Sequence, residues 1–320
     1  MRTTIKKAIM VAGIMIVVGL VLSVGAMAVK DFKFTEMNTV SFVTNAYTID
    51  EEFLNISING EECDVMLLPS EDESCKVVCY ENDKVYHSVE VKDDTLTIER
   101  HDNRKWYEHI GVYWENMKIT VYLPEKEYKS LYAKNQSGDI TIPEQFSFDS
   151  ADVQTTSGDI NFTALVKGEL STKTTSGDVY VGETTPSKLS VQSKSGELTI
   201  KDVTVQDNIT FSATSGDVEL SGIKCKSITG STTSGVVDCS DVITSENIRI
   251  ECSSGDVSLY KCDAASLWLQ TSSGNVSGTF LTEKIFLTDT SSGDIDVPHS
   301  ASGGKCEVTT TSGDIECDIE

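Results

Sequence analysis

From Tyr47 onward, apolar and polar residues alternate with a period of two. Between Asn135 and Asp314 the alternation is punctuated by a recurring Ser-Gly-acid-aliphatic tetrapeptide or a close variant of it. The glycines are Gly138, Gly158, Gly177, Gly196, Gly216, Gly235, Gly255, Gly274, Gly293 and Gly313, always 19 or 20 residues apart. Two residues after the glycine stand Ile140, Ile160, Val179, Leu198, Val218, Val237, Val257, Val276, Ile295 and Ile315, aliphatic in every copy. Seven before it come Leu131, Ala151, Leu170, Leu189, Ile209, Ile228, Ile248, Leu267, Phe286 and Cys306. Four after it Ile142, Phe162, Val181, Ile200, Leu220, Cys239, Leu259, Gly278, Val297 and Cys317 complete a third inward column. Period-two columns on both sides of a glycine predict a unit of strand, tight turn and strand.

A single such unit cannot bury its own apolar side, so strict repetition predicts an all-β fold: a parallel β-solenoid of about ten 19–20-residue rungs sharing one interior. Ten rungs at roughly 4.8 Å each give a rod of about 48 Å. In the Ser-Gly-Asp corner the glycine fits a position that needs positive φ or a bulge, and Asp favours turns through its own hydrogen bonds. Thr155, Thr174, Thr232, Thr271, Thr290 and Thr310, three residues before their glycines, form a column expected to hydrogen-bond along the ladder.

The first thirty residues differ. Arg2, Lys6 and Lys7 precede an uncharged stretch from Ala8 to Val29 that is long enough to cross a bilayer as a helix. The basic flank is expected on the cytoplasmic side, which places everything from Lys30 onward outside the membrane. Ala26-Met27-Ala28 also fits a small-x-small cleavage pattern, in which case the mature chain is secreted after cleavage near Ala28. Both readings export the rest.

Three regions follow: residues 1–30, a cytoplasmic stub and membrane anchor; 31–130, a β-rich cap with irregular rungs; and 131–320, the regular solenoid. The cap reads as short strands, with a hairpin around Asp93-Asp94, and covers the first exposed edge of the solenoid. Its aromatic segment holds Trp106, Tyr107, Tyr113 and Trp114. These either pack over the solenoid end or stack on sugar rings or a partner, since Trp and Tyr serve both purposes. At the other end, the alternation of Asp314, Glu316, Asp318 and Glu320 with Ile315, Cys317 and Ile319 is expected to line an open edge with carboxylates.

A net charge of −24 argues against nucleic acid or an anionic lipid surface as partner, since either needs a basic patch. Nine cysteines, an odd count in a long chain, do not form a complete disulfide framework. Cys239, Cys252, Cys306 and Cys317 fall in inward columns as small hydrophobes, with a Cys306–Cys317 bridge as the alternative in an oxidising compartment. Cys75 and Cys79 lack the companion motifs of a zinc site.

Stacking the corners lines up Asp139, Asp159, Asp178, Asp217, Asp256, Asp294 and Asp314, with Glu197 in the same file and Val236 and Asn275 interrupting it. This row is the one calcium candidate. It lacks the facing second side of calcium-binding rolls, so no metal or cofactor is expected. None of His87, His101, His109 and His299 sits in a metal spacing or beside a nucleophile elbow. A polysaccharide-cleaving β-helix would need long loops that build a cleft, and the unbroken spacing provides none.

The anchor, the segments YTIDEEFLNISI, LPSEDESCKVVCYE and DNRKWYEHIGV, and the TTSGDI, TTSGDV and ATSGDV corners together resemble a large bacterial putative-adhesin family of unknown function, common in Gram-positive bacteria. The resemblance covers nearly the whole chain and implies a surface role without naming a ligand or any functional residue. The expectation is a non-enzymatic, membrane-anchored, adhesin-like or scaffolding protein presenting its solenoid to a cell-wall polymer or an envelope protein. A cell-envelope sensor reporting through its single helix is the alternative.

Overall fold

The computed structural model describes residues 42–106 and 117–320, together with Met15 and Gly19. The chain divides into a larger unit, Phe42–Arg104 with Asn116–Glu320, and a smaller one, Met1–Ser41 with Lys105–Glu115. Apart from Met15 and Gly19, the expected membrane span lies outside the described residues, as do Tyr107, Tyr113 and Trp114. Among the described residues no helix is long and apolar enough to cross a membrane.

The larger unit is the parallel solenoid that the repeat predicts. In the Gly216 coil, one strand (Asn208–Ser212) runs into the corner and a second (Val218–Ser221) runs out of it. Ile209 lies beside Leu189 and Ile228 in one sheet, and Val218 beside Leu198 and Val237 in the other. The inward columns therefore meet between two parallel sheets, and nearly all of their members are buried. Each enclosed aliphatic side chain contributes about 1.5–3 kcal/mol, which a coil standing alone could not realise. Beside Phe211 the next coil brings no side chain: a Cβ on Gly230 would lie 1.8 Å from Phe211 Cζ, so the ring fills the missing side chain's space.

Five successive coils, from the Gly177 coil to the Gly255 coil, also turn a second time at a left-handed residue, which the glycine period does not reveal. Six residues after the corner glycine, Glu183, Asp202, Asp241 and Lys261 adopt φ of 53° and Gly222 adopts 65°. The left-handed seat recurs in space, but mixed residue types occupy it.

The cap is built from β1 (Phe42–Ile49), β2 (Asn55–Pro69), β3 (Cys75–Asn82), β4 (Val85–Lys92), β5 (Thr95–Asp102) and β6 (Met117–Leu123), followed by the first regular strands β7 (Glu127–Ser137) and β8 (Ile140–Ile142). Strand β2 is long enough to bend and serve both sheets, pairing with β5 and β7 in one and with β6 and β8 in the other. It is thus a complete coil inserted between later ones. Antiparallel strands close this end: β4 on β5, and β3 and β1 beyond β6. The hairpin between β4 and β5 turns at Asp93 and Asp94, both at positive φ (49° and 62°), as the sequence pattern implies. At the bend of β2, Arg100 pairs with Glu61, with Glu62 (3.1 Å) and with Asp102 (3.1 Å).

The far end corrects one expectation. The last coil in sequence is not the last in space: Gly304–Ser312 and Ile315–Ile319 lie between the Gly274 coil and the Gly293 coil, paired on both sides. Gly274 N–H donates to Ser312 O at 3.0 Å and Gly313 N–H to Ser292 O at 2.9 Å. The segment after Asp296 carries the chain back by one level. Insertion buries Cys306, Val308, Ile315 and Cys317, and leaves the less apolar Gly293 coil, with Thr288 in an inward column, as the true edge. Ile295, aliphatic like its column mates, is consequently 45 % exposed. All nine cysteines, Cys306 and Cys317 included, carry free thiols.

Candidate binding surface

The corner columns form a continuous file. Ser137, Ser157, Ser176, Ser195, Ser215 and Ser234 bridge one to the next, and Ser254, Ser273 and Ser312 continue the same bridging. At Gly216 φ is 133° and a Cβ would sit 2.1 Å from the carbonyl oxygen of Gly196. Glycine is therefore required twice over, by its backbone angle and by the closeness of the coil beneath.

The acidic residue after the glycine has a structural task. Asp159 N–H donates to Asp139 Oδ1, Asp178 N–H to Asp159 Oδ1 and Glu197 N–H to Asp178 Oδ1, each at 2.8 Å. The file begins one coil earlier than the repeat suggests, because Asp139 N–H donates to Asp64 Oδ1 at 3.1 Å. It continues with Val236 N–H on Asp217, Asn275 N–H on Asp256 and Asp294 N–H on Asp314. Asn275 serves equally well, its Oδ1 accepting Asp314 N–H at 2.9 Å. Glu197 is one methylene too long, and its carboxylate accepts the Thr199 hydroxyl instead. Of the side chains in the candidate calcium row, Asp139, Asp159, Asp178, Asp217, Asp256 and Asp314 thus extend the backbone ladder around the corner, spending one oxygen on an N–H of the neighbouring coil.

The threonine column works differently from the expected side-chain ladder. Thr174 donates to Gly158 O at 3.3 Å, Thr271 to Gly255 O at 3.1 Å and Thr310 to Gly274 O at 3.0 Å. Their hydroxyls satisfy corner carbonyls of the neighbouring coil rather than one another, because the positive-φ glycine turns its carbonyl toward them.

Outside the corners the solenoid presents flat, mostly hydroxyl- and amide-bearing files. Ser171, Ser190, Thr210 and Thr229 lie in register on the outer face of one sheet. This file continues onto a platform where the Arg249 guanidinium lies 3.4 Å from the centre of the Trp268 ring. Trp106, the one described member of the expected aromatic site, is 79 % exposed and belongs to the smaller unit.

A cleft of about 770 Å³ opens in the cap between Asp50–Phe53, Ser70–Cys75 and Pro124–Lys126. Its rim carries Asp50, Glu51, Glu52, Glu71, Glu73 and Glu125, and its cation Lys126 is tied to Phe53 O at 3.1 Å and lies over the Phe53 and Tyr128 rings. Sequence reasoning missed this cleft, although two acidic runs in turns mark it. Elsewhere in the cap, Arg104 hydrogen-bonds Asp102 at 2.5 Å and holds its carboxyl well below the usual carboxylate range.

A family model described as Toastrack DUF4097 matches residues 53–207 and 178–320. Similar solved structures include a putative adhesin from Parabacteroides distasonis, 14% identical over 87% of this chain and 98% of that one, with a TM-score of 0.49. A putative lipid binding protein from the same organism is 17% identical over 86% of this chain and 96% of its own, at a TM-score of 0.45. A putative adhesin from Parabacteroides merdae is 14% identical over 87% and 96%, at a TM-score of 0.45. No curated protein matches the chain. On the family match, which spans most of its length, the chain belongs to the Toastrack DUF4097 family.

Proposed function

We propose that this protein is a non-enzymatic surface protein of the cell envelope, exported and held at the membrane by its amino-terminal apolar segment, that displays a stiff solenoid to a cell-wall polymer or an envelope protein. The observation that carries this reading is the unbroken register of the outward file: small hydroxyls stand on four successive coils at Ser171, Ser190, Thr210 and Thr229, about 4.8 Å apart, and lead in the same register to Arg249 and Trp268, with no loop inserted between these coils. A periodic ligand meets such a face many times weakly, so affinity accumulates along the rod. The Arg249–Trp268 platform offers the flat, partly desolvated contact on which a sugar ring or a partner side chain stacks.

The test is cosedimentation of the full chain with purified cell-wall material. Excising residues 179–217 shortens the rod in register, and a spread-out surface then loses affinity in proportion to the coils removed. Unchanged binding after that excision would point instead to a single site in the cap and to the sensor reading.

A further inference from the structure

The cap encloses a polar cluster that display does not use. Cys79 and Glu81 stand two residues apart on β3 and therefore face the same way, while His87 approaches from β4. All three are at most 1 % exposed. One ligand-capable atom from each lies within 4.8 Å of the others. Glu81 Oε2 accepts both the backbone N–H and Nδ1 of His87 at 2.8 Å, and Oε1 accepts Asn45 Nδ2 at 2.6 Å.

A second observation converges on the same place. His87 Nε2 and Cys63 Sγ each lie 3.4 Å from the carbonyl oxygen of Gly60. Buried Asn135 donates to Cys63 O at 2.6 Å, yet its own Oδ1 has no hydrogen-bond partner. A Cβ on Gly60 would meet Cys63 Sγ at 2.5 Å and Asn135 Oδ1 at 2.6 Å, so these groups close around the space of an absent side chain. Glu81 and His87 satisfy each other, but the Asn135 amide oxygen beside them has no partner, and leaving it buried and unpaired costs free energy unless something binds in this cluster. An apolar cap would avoid that cost.

Sulfur, imidazole nitrogen and carboxylate oxygen form the donor set of a borderline-soft divalent ion. We propose that Cys79, Glu81 and His87, with Cys63 adjoining, form a structural metal site of the zinc class that fastens the β3–β4 cap onto the first coil at Gly60. On binding, the Cys79 S–H bond breaks as the metal–sulfur bond forms and its proton leaves to solvent; His87 ligates as the neutral imidazole through the ring nitrogen that carries no proton, and any proton on that nitrogen also leaves to solvent, with no electron transferred. Burial pushes the free Cys79 thiol up to about 12; a bound dication reverses that preference. Cys79 and Glu81 come from β3 and His87 from β4, at spacings that match no linear zinc motif, which is why Cys79 carries no such signal in the sequence.

Because the site is enclosed, loading belongs to folding. The full chain would be unfolded, freed of metal by chelation and refolded with Co²⁺, and the thiolate-to-cobalt charge-transfer band recorded. The proposal expects one equivalent of bound cobalt per chain, a band retained in Cys75→Ser and lost in Cys79→Ser, and a rise in Tm on refolding with Zn²⁺ that Cys79→Ser does not show. X-ray absorption of the zinc-loaded wild-type chain, which must show a sulfur ligand, keeps the test independent of how the variants fold. No band in the refolded wild-type chain, a coordination shell of oxygen alone, or a band that survives in both Cys79→Ser and His87→Gln would overturn the proposal.

Discussion

Replacing Asp159 by Asn and by Ala separates the two effects that the corner file combines. Both variants remove a charge flanked, about 4.8 Å away, by Asp139 and Asp178. In water each such pair repels by about 0.9 kcal/mol, and salt reduces this further. Both therefore gain up to about 1–2 kcal/mol at low ionic strength and little at high. They differ in one respect: Asn keeps an Oδ1 for the N–H of Asp178, as Asn275 does for Asp314, whereas Ala leaves that N–H to water. The gap between them isolates the clamp and should be about 0.5–1.5 kcal/mol in favour of Asn, unchanged by salt. Urea unfolding of both variants at low and high salt measures it. Equal stabilities, or a gap that closes as salt rises, would refute the structural role assigned to the acidic residue and leave the file as a mere row of charges.

Other expectations follow from the same geometry. Gly216→Val combines a disfavoured φ with a carbonyl 2.1 Å from the new Cβ and should cost about 3 kcal/mol or more in a thermal or urea melt, against less than about 0.5 for Ser221→Ala. Ile315→Ala should cost about 2–4 kcal/mol and Ile295→Ala under about 1, because the first fills the interior and the second sits on the edge coil; equal costs would contradict the inserted last coil. Gly230→Ala should destabilise the chain in the wild-type background but much less beside Phe211→Leu, and a double-mutant cycle reads that coupling. The depressed Asp102 carboxyl contributes stability that is fully present above the unfolded pKa of about 4 and is lost as pH falls through its lower folded value. Asp102→Asn should thus lower stability at pH 7 and narrow its deficit in acid, as pH-dependent urea midpoints would show.

The regular part of the fold is legible because one residue type carries two constraints. A corner that needs positive φ and tolerates no Cβ against the coil below admits only glycine, so the period surfaces in the sequence. The second corner stays hidden because its left-handed seat leaves room for a side chain, and Glu183, Asp202, Asp241 and Lys261 share no chemistry. The inserted terminal coil is invisible for the reason that makes the solenoid regular: Ile295 and Ile315 read alike, and the pattern says which residues face inward but not in which order the coils stack. The threonine column is legible in the sequence but its bonds are not, since the alternation does not tell where the glycine carbonyls point. The cap cluster escaped because Cys79, Glu81 and His87 follow no metal-ligand spacing, and the alternation does not tell that the consecutive strands β3 and β4 turn these side chains toward one another.

The most direct test of the stacking is a set of pulsed electron spin resonance distances between spin labels on one outward file. Its register runs Ser171, Ser190, Thr210, Thr229, Arg249, Trp268, Glu307 and then Leu287. Label separations from Ser171 should grow by about 4.8 Å per level, reaching about 29 Å at Glu307 and about 34 Å at Leu287. Distances that do not grow linearly, or a Leu287 label nearer than a Glu307 label, would contradict the account.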